Sequence, residues 1–338
     1  MRRALVIATL WLVACGGAGD EPVAIISADV YQGLRPTTVS FDGSASLSVG
    51  ELPLRYEWDF GDGDGSTEAA PQHIYTRAGV FTVSLTVWAS QPHTSRWGVA
   101  GTPVTRELGS SHTSSTVIAV SSWEREVLLL TNEERRSNGV HNPLAPNDLL
   151  AIAAERHNLD MIENNFFDHT GSDGSSPFER MRDAGYSYTT AGENIAAGQR
   201  SPRAVVTAWM NSPGHRANIL NAGFWELGVA HTTATGARYD HYWTQKFGTS
   251  GDYRPVVINA GALSTSDPRV QVYTYGAAWA SEMAITATPE PSEADFMPFE
   301  TESYHELTGD VGRHWVYVTL RAGTVTSQSS AAIVLVSR

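Results

Sequence analysis

The sequence is poor in cysteine, lysine and charge, and each shortage excludes a class of protein. Among 338 residues there is one cysteine, Cys15, one lysine, Lys246, and only 17% charged side chains. With a single cysteine, no disulfide can form within the chain, so its cores must be held by burial alone. Acidic residues outnumber basic ones by 36 to 23, which gives a formal net charge of −13. The chain therefore lacks the basic footprint of a nucleic-acid-binding protein.

The sequence also lacks an apolar run long enough to span a bilayer. Arg2 and Arg3 precede an apolar stretch at residues 4–14, which is shorter than the roughly 20 residues of a membrane-spanning helix. Such a stretch is typical of a signal peptide, here residues 1–14. Its ending, Leu12-Val13-Ala14-Cys15, resembles the lipobox of bacterial lipoproteins. The resemblance implies lipidation of Cys15, a flexible tether at residues 15–21, and an exported protein anchored to the outer membrane or cell surface. An ordinary secretory signal with a free thiol is the alternative.

Residues 22–120 are predicted to form a first module built of strands. Residues 38–41 and 81–87 alternate between polar and apolar side chains, which is typical of half-buried strands. Between them lie Trp58-Asp59-Phe60-Gly61-Asp62-Gly63 and then His73, Tyr75 and Gly79. This pattern resembles the PKD (polycystic kidney disease) repeat, an immunoglobulin-like β-sandwich. The resemblance implies a role in display or adhesion rather than catalysis.

Three carboxylates in this module, Asp59, Asp62 and Asp64, raise the question of a calcium site. They lack the bidentate glutamate that completes an EF-hand loop. Asp and Gly alternate here, and aspartate side chains readily accept bonds from turn amides. We therefore expect these residues to form turns.

Residues 121–250 change to helical periodicity. Ser121 with Glu124, Asn147, Ser176 and Ser201-Pro202 are predicted helix starts, because their side chains can accept bonds from free backbone amides. Pro213 is expected to stop the last helix. Strands are predicted at residues 225–230 and 241–247, which together with the helices indicate an α+β layered domain.

Six of the eleven histidines fall in this module, and their placement points to a site. His169 follows a helix and opens a Gly/Ser loop, and Glu193 lies inside a largely apolar segment at residues 191–196. A buried carboxylate is costly unless it is paired, and histidine is a natural partner that titrates near neutrality. His157 lies on an apolar helix face and is expected to be a core histidine. Asp168, Asp173 and Asn194 are expected to serve in turns or caps.

Several motifs of this module resemble the bacterial branch of the CAP superfamily, also called SCP domains. They are residues 130–135, Phe167-Asp168-His169, Gly192-Glu193-Asn194-Ile195, residues 212–220, Glu226-Leu227-Gly228-Val229 and Tyr242-Trp243-Thr244-Gln245. The resemblance implies an α-β-α sandwich with a cleft lined by two histidines and two acids, which in some members holds a divalent metal.

The resemblance carries over only in part to the cleft residues. His169 matches the first histidine and Glu193 the first acid, whereas Ser212 stands at the second acid and Tyr242 at the second histidine. His241 faces away from the Tyr242 side of its strand, so His215, brought in by a turn after Pro213, is the better substitute. Two histidines and one carboxylate match an open catalytic zinc set.

Residues 254–338 are predicted to form a third module. Residues 269–275 and 314–320 alternate, and residues 331–336 form an apolar run. The pattern resembles an immunoglobulin-like accessory sandwich, and the alternative is a β extension packed on the middle module. The predicted fold is thus multidomain: a PKD sandwich, a CAP domain and a second β-sandwich.

Two functions follow from these residues, and the sequence does not decide whether the protein is an enzyme. The favoured one is a surface protein whose CAP domain binds a cell-wall, lipid, carbohydrate or protein ligand in a cleft lined by His169, Glu193, His215, Tyr242 and Ser212. The alternative is a metal-assisted hydrolase acting on peptide or cell-wall material. There, His169 and His215 would be zinc ligands or acid–base groups and Glu193 a ligand or general base.

Overall fold

The computed structural model describes residues 21–48, 52, 54–93, 104–251, 253–276 and 278–338. The predicted signal peptide, Cys15 and the tether up to residue 20 lie outside the described residues. Within the described ranges, no helix is long and apolar enough to cross a membrane.

The first region is a sandwich of two sheets. Its strands are β1 (Ser27–Ala28), β2 (Gln32–Leu34), β3 (Thr37–Asp42), β4 (Leu54–Asp59), β5 (Gly65–Ser66), β6 (Gln72–Tyr75), β7 (Gly79–His93) and β8 (Val104–Ser121). They are ordered β1-β3-β6 in one sheet and β2-β8-β7-β4-β5 in the other. Alternate side chains of β3 and β7 enter the core beside Trp58 and Phe60, which confirms the predicted strand pattern.

The middle region has a mixed sheet between two helical layers. Its elements are α1 (Trp123–Ser137), β9 (Ala145–Pro146), α2 (Asp148–Glu163), α3 (Pro177–Asp183), β10 (Thr190–Ala197), α4 (Pro202–Met210), α5 (Pro213–Ile219), β11 (Glu226–Thr233) and β12 (His241–Thr249). The sheet order is β10-β12-β11-β9. Helix α2 packs on one face, where Met161 contacts Ile195 and Tyr242. Helices α1 and α4 cover the other face, where Trp209 packs among Val127 and Trp243.

The helix starts predicted from the sequence agree with the structure, with two corrections. Asn147, Ser176 and Ser201 cap α2, α3 and α4 as predicted. The cap of α1 is Ser122 rather than Ser121, because Ser121 is still the last residue of β8. Pro213 follows the end of α4 but also begins α5, since proline suits the first position of a helix.

The third region has its own core and also packs on the other two regions. Its strands are β13 (Val256–Ile258), β14 (Ser264–Thr265), β15 (Arg269–Thr274), β16 (Glu282–Thr286), β17 (Met297–Pro298), β18 (Glu302–Glu306), β19 (Gly312–Ala322) and β20 (Val325–Leu335). The sheets β13-β15-β18 and β14-β20-β19-β16-β17 enclose a core that includes Val272 and Val318. Val334 packs against Val117 of the first region, and the Tyr275 hydroxyl donates to the Pro143 carbonyl, 2.9 Å away, in the middle region.

Candidate functional site

Glu193 is the centre of a buried charge cluster in the middle region. Its side chain is 2% exposed. One carboxylate oxygen accepts from His169 Nδ1 at 2.6 Å, and the other accepts from Arg180 Nη2 at 3.3 Å and from the Lys246 ammonium. Burial opposes the charged form, but the His169 hydrogen bond and the Lys246 charge outweigh it and lower the pKa of Glu193 to about 2. The carboxylate is therefore ionised throughout the physiological range.

The pairing of β10 with β12 and the position of α3 bring these side chains together. Glu193 on β10 lies directly opposite Lys246 on β12, so their side chains share one sheet face. Arg180 is presented by α3, the helix capped by Ser176. Its guanidinium also donates to the backbone carbonyls of Ser175 and His169, each at 2.7 Å, and thereby fixes the loop that carries His169.

The His169 imidazole is hydrogen-bonded at one ring nitrogen and free of hydrogen bonds to described residues at the other. Its side chain is 50% exposed, and Nε2 has no hydrogen-bond partner among the described residues. Because an ionised carboxylate only accepts hydrogen bonds, Nδ1 carries a proton, and in the neutral form of the ring Nε2 presents a lone pair. The imidazole is thus oriented by Glu193 while its free nitrogen remains available.

The structure brings His215 towards this site by a route that the sequence analysis did not foresee. His215 lies in α5 rather than in a turn, so the predicted turn is wrong. Its carbonyl accepts from Asn194 Nδ2 at 3.2 Å, which ties α5 to β10. Burial and the charge of His169 lower the pKa of His215, so the two imidazoles lie within electrostatic range of each other.

Tyr242 and Ser212, at the two remaining cleft positions, are placed differently. Tyr242 is fully buried with Met161 and Ile195, and its hydroxyl has no hydrogen-bond partner among the described residues. Ser212 is the N-cap residue of α5, but its side chain makes no capping hydrogen bond. His241 lies on the opposite sheet face from Tyr242, where its ring stacks on Trp123, as the strand alternation predicts.

The expectations for the neighbouring residues are met in all but one case. His157 is a fully buried core residue whose Nε2 donates to the Asp168 carbonyl at 3.0 Å, and burial lowers its pKa to about 4. Asp168 and Asp173 accept turn amides. The expectation for Asn194 is wrong: it is a buried strand residue bonded to Gln245 and Asn218.

Sequence reasoning missed Lys246 and Arg180 as partners of Glu193. The available signal was the only lysine of the chain, which lies in a strand of the predicted sheet, where a buried ammonium group requires an anion.

A separate group of potential metal ligands lies in the first region. Asp62, Asp64 and His73 offer ligand atoms within 4.8 Å of one another, and this is the sole such group of three within the described ranges. His169, Glu193 and His215 therefore do not form a preassembled three-ligand set. The predicted turn role is confirmed for Asp59 and Asp62, which accept from the amides of Gly61 and Asp64. Asp62 also pairs with His73 at 2.8 Å.

Comparisons with known proteins match these two regions. Residues 128–247 match the cysteine-rich secretory protein family, CAP, and residues 20–97 match the PKD domain. The uncharacterized protein YkwD of Bacillus subtilis is 43% identical over 145 residues, which cover 43% of this chain and 54% of YkwD. Pre-pro-metalloprotease PrtV of Vibrio cholerae is 48% identical over 50 residues, which cover 15% of this chain and 5% of PrtV.

Among solved structures, an outer surface protein from Borrelia burgdorferi is 25% identical. The match covers 36% of this chain and 89% of that one, with a TM-score of 0.34. The chain spans about half the length of YkwD and far less of PrtV. The chain therefore contains a PKD domain followed by a CAP domain of the cysteine-rich secretory protein family.

Proposed function

We propose that this is an exported, lipid-anchored surface protein whose CAP domain binds an envelope or extracellular ligand at His169 and His215. The observation that carries the proposal is the half-exposed His169 imidazole, whose Nδ1 donates to the Glu193 carboxylate. That carboxylate is itself paired with the buried Arg180 and Lys246 side chains. A ligand that binds at Nε2 contacts a ring that is already oriented, so the His169 side chain loses little conformational entropy on binding. The presence of PKD and CAP domains supports a secreted multidomain protein, and the Leu12–Cys15 sequence supports the anchor.

The state of Glu193 favours binding over catalysis. A general base works best with a pKa near the operating pH, whereas the pKa of Glu193 is about 2. Both of its oxygens also accept bonds from protein groups. Glu193 is thus suited to positioning His169 and poorly suited to accepting a substrate proton or ligating a metal.

A metal-assisted hydrolase is the second candidate, and one observation favours it. Histidines that ligate metals usually donate their other ring nitrogen to a carboxylate, as His169 does to Glu193. For zinc, His169 and His215 would supply two nitrogens, which leaves the set one protein ligand short of an ordinary catalytic site. Bound zinc would supply Lewis-acid chemistry, and Glu193 would orient the His169 ring.

Sedimentation with insoluble peptidoglycan, alongside hydrolysis assays with and without zinc, tests the two candidates. We expect binding without turnover, and at least about tenfold weaker binding for His169→Ala because one anchoring contact is removed. His141→Ala, which changes an exposed histidine of the same domain, is the matched control and should bind normally. Zinc-dependent cleavage that disappears in His169→Ala would instead establish the hydrolase. Equal binding by His169→Ala and the unmodified protein would remove His169 from the site.

The lipid anchor has its own test. In a bacterial host that processes lipoproteins, the protein should partition into the detergent phase and Cys15→Ser into the aqueous phase, because the thiol is the acylated group. Mass spectrometry of the N-terminal peptide identifies the modification. A natural chain that is found in the aqueous phase, or is cleaved elsewhere, would contradict the anchor.

A further inference from the structure

A groove between the CAP domain and the third region has the chemistry of a ligand site, and it lies outside the cleft discussed above. Its volume is about 550 Å³, within the roughly 300–1,000 Å³ range of small-molecule sites. One wall comes from β9 and the start of α2, and the other from β13, β19 and β20. None of the cleft residues lines it.

Two large aromatic rings in the groove are exposed. Trp315 is 46% exposed and Tyr253 is 42% exposed. Trp315 lies on the outer face of β19, since its neighbour Val316 points into the core. Across the ladder it pairs with Ala332, whose methyl group is too small to cover the indole. The groove therefore presents apolar ring faces to solvent.

The polar groups beside these rings have unused hydrogen-bonding capacity. Arg313 and Asp148 line the groove and make no side-chain hydrogen bond to any described residue. The same holds for the Trp315 indole nitrogen and the Tyr253 hydroxyl. Arg125 makes one such bond, to the Gly261 carbonyl at 3.0 Å. Free hydrogen-bond donors and acceptors therefore lie in the same groove as the exposed aromatic rings.

The charges that line the groove balance. Two arginines, Arg125 and Arg313, and two acids, Asp148 and Glu226, line the groove. The Glu226 carboxylate is buried with only neutral hydrogen-bond partners, Asn147 and Tyr186. A strongly acidic or basic peptide would be selected by one sign of charge, which the groove does not offer. A neutral sugar matches what is present, because its C–H faces pack on aromatic rings and its hydroxyls both donate and accept.

We propose that the groove between the CAP domain and the third region binds a neutral oligosaccharide, with Trp315 as the stacking platform. This binding is independent of the His169 cleft and adds a second ligand site to the protein. Arg313 and Asp148 bind sugar hydroxyls, and Tyr253 supplies the second ring.

Calorimetric titration of the full chain with chitohexaose and cellohexaose tests the proposal, with Trp fluorescence as a second readout. We expect saturable binding of at least one sugar, and Trp315→Ala should weaken it at least about tenfold. Trp315→Phe should retain part of the affinity, because it keeps a ring. Tyr304→Ala, which removes a solvent-facing ring elsewhere in the third region, should stay within about twofold of the unmodified protein.

Three outcomes would overturn the proposal. They are the absence of binding to either sugar, binding that Trp315→Ala leaves unchanged, and tighter binding of polyglutamate or polylysine than of the sugars. Because Trp315 is exposed, circular dichroism should show its alanine variant to be folded. A failure of the peptidoglycan experiment at His169 would leave this result untouched, so the two proposals fail separately.

Discussion

Glu193→Gln is expected to lower the free energy of unfolding by about 3–5 kcal/mol, the cost of leaving a buried charge without its partner. Lys246 is fully buried and Arg180 is 8% exposed, so neither can reach water when the carboxylate is lost. Burial already lowers the pKa of Lys246 to about 8, although Glu193 supports its charge. Denaturant unfolding followed by tryptophan fluorescence measures the loss.

The single lysine offers a direct probe of the same cluster. Isotope-labelled lysine gives one side-chain resonance, since Lys246 is the only lysine. Its titration should report a pKa of about 8 in the unmodified protein and a lower value in Glu193→Gln. Glu133→Gln, at an exposed position of α1, is the matched control and should change neither measurement.

A double substitution separates charge pairing from general damage. If the ion pair is the cause, Glu193→Gln with Lys246→Met should be less destabilised than the sum of the single changes by about 1–3 kcal/mol. Strictly additive losses, or a stability change in Glu193→Gln below about 1 kcal/mol, would mean that the pair does not support the fold. The exposed His169 should also become mobile in Glu193→Gln, which relaxation of its ring resonances can detect.

Much of the fold could be predicted because its signals are local. Alternation in β3, β7 and β19 and the caps at Asn147 and Ser176 act over a few residues, so the chain alone displays them. Strand β10 was harder, because Gly192, Glu193 and Asn194 interrupt its apolar pattern. These residues belong to the site, where local preference gives way to the needs of the cluster.

The candidate site could be predicted only in part. The sequence predicts that His169 and Glu193 lie together, and they do form a hydrogen bond. Lys246 joins them through the β10–β12 register, which no local pattern specifies. The sequence predicts a turn at His215 because Pro213 ends a helix, although the same proline can also begin the next helix.

Lowering the pH from about 6.5 to 4 is expected to destabilise the CAP domain, and His157 is expected to be the main cause. Burial lowers the pKa of His157 to about 4, and burial with the His241 charge lowers that of His231 to about 4. In this pH window the unfolded chain binds these protons and the native state does not, so stability falls as the pH falls. The fully buried His157 alone contributes about 3 kcal/mol.

Glu193 adds a second loss at lower pH. Its native pKa of about 2 lies below the unfolded value of about 4.3. Its stabilisation is therefore present above the unfolded pKa and is lost as the pH falls through the native one. Urea unfolding between pH 8 and about 2 should show the loss of stability from the histidines first and the loss from Glu193 below about pH 4.3.

Substituting His157 should reduce the loss of stability between about pH 6.5 and 4 and leave the loss at lower pH unchanged. His157→Gln keeps an amide that can donate to the Asp168 carbonyl but removes the titrating ring, so its stability should change less between pH 6.5 and 4.5 than that of the unmodified protein. His141→Gln, at an exposed position, should retain the full slope. Parallel pH profiles for His157→Gln and the unmodified protein would show that the acid sensitivity arises elsewhere. A flattened profile would identify the buried imidazole behind the His169 loop as the group that makes the CAP domain sensitive to acid.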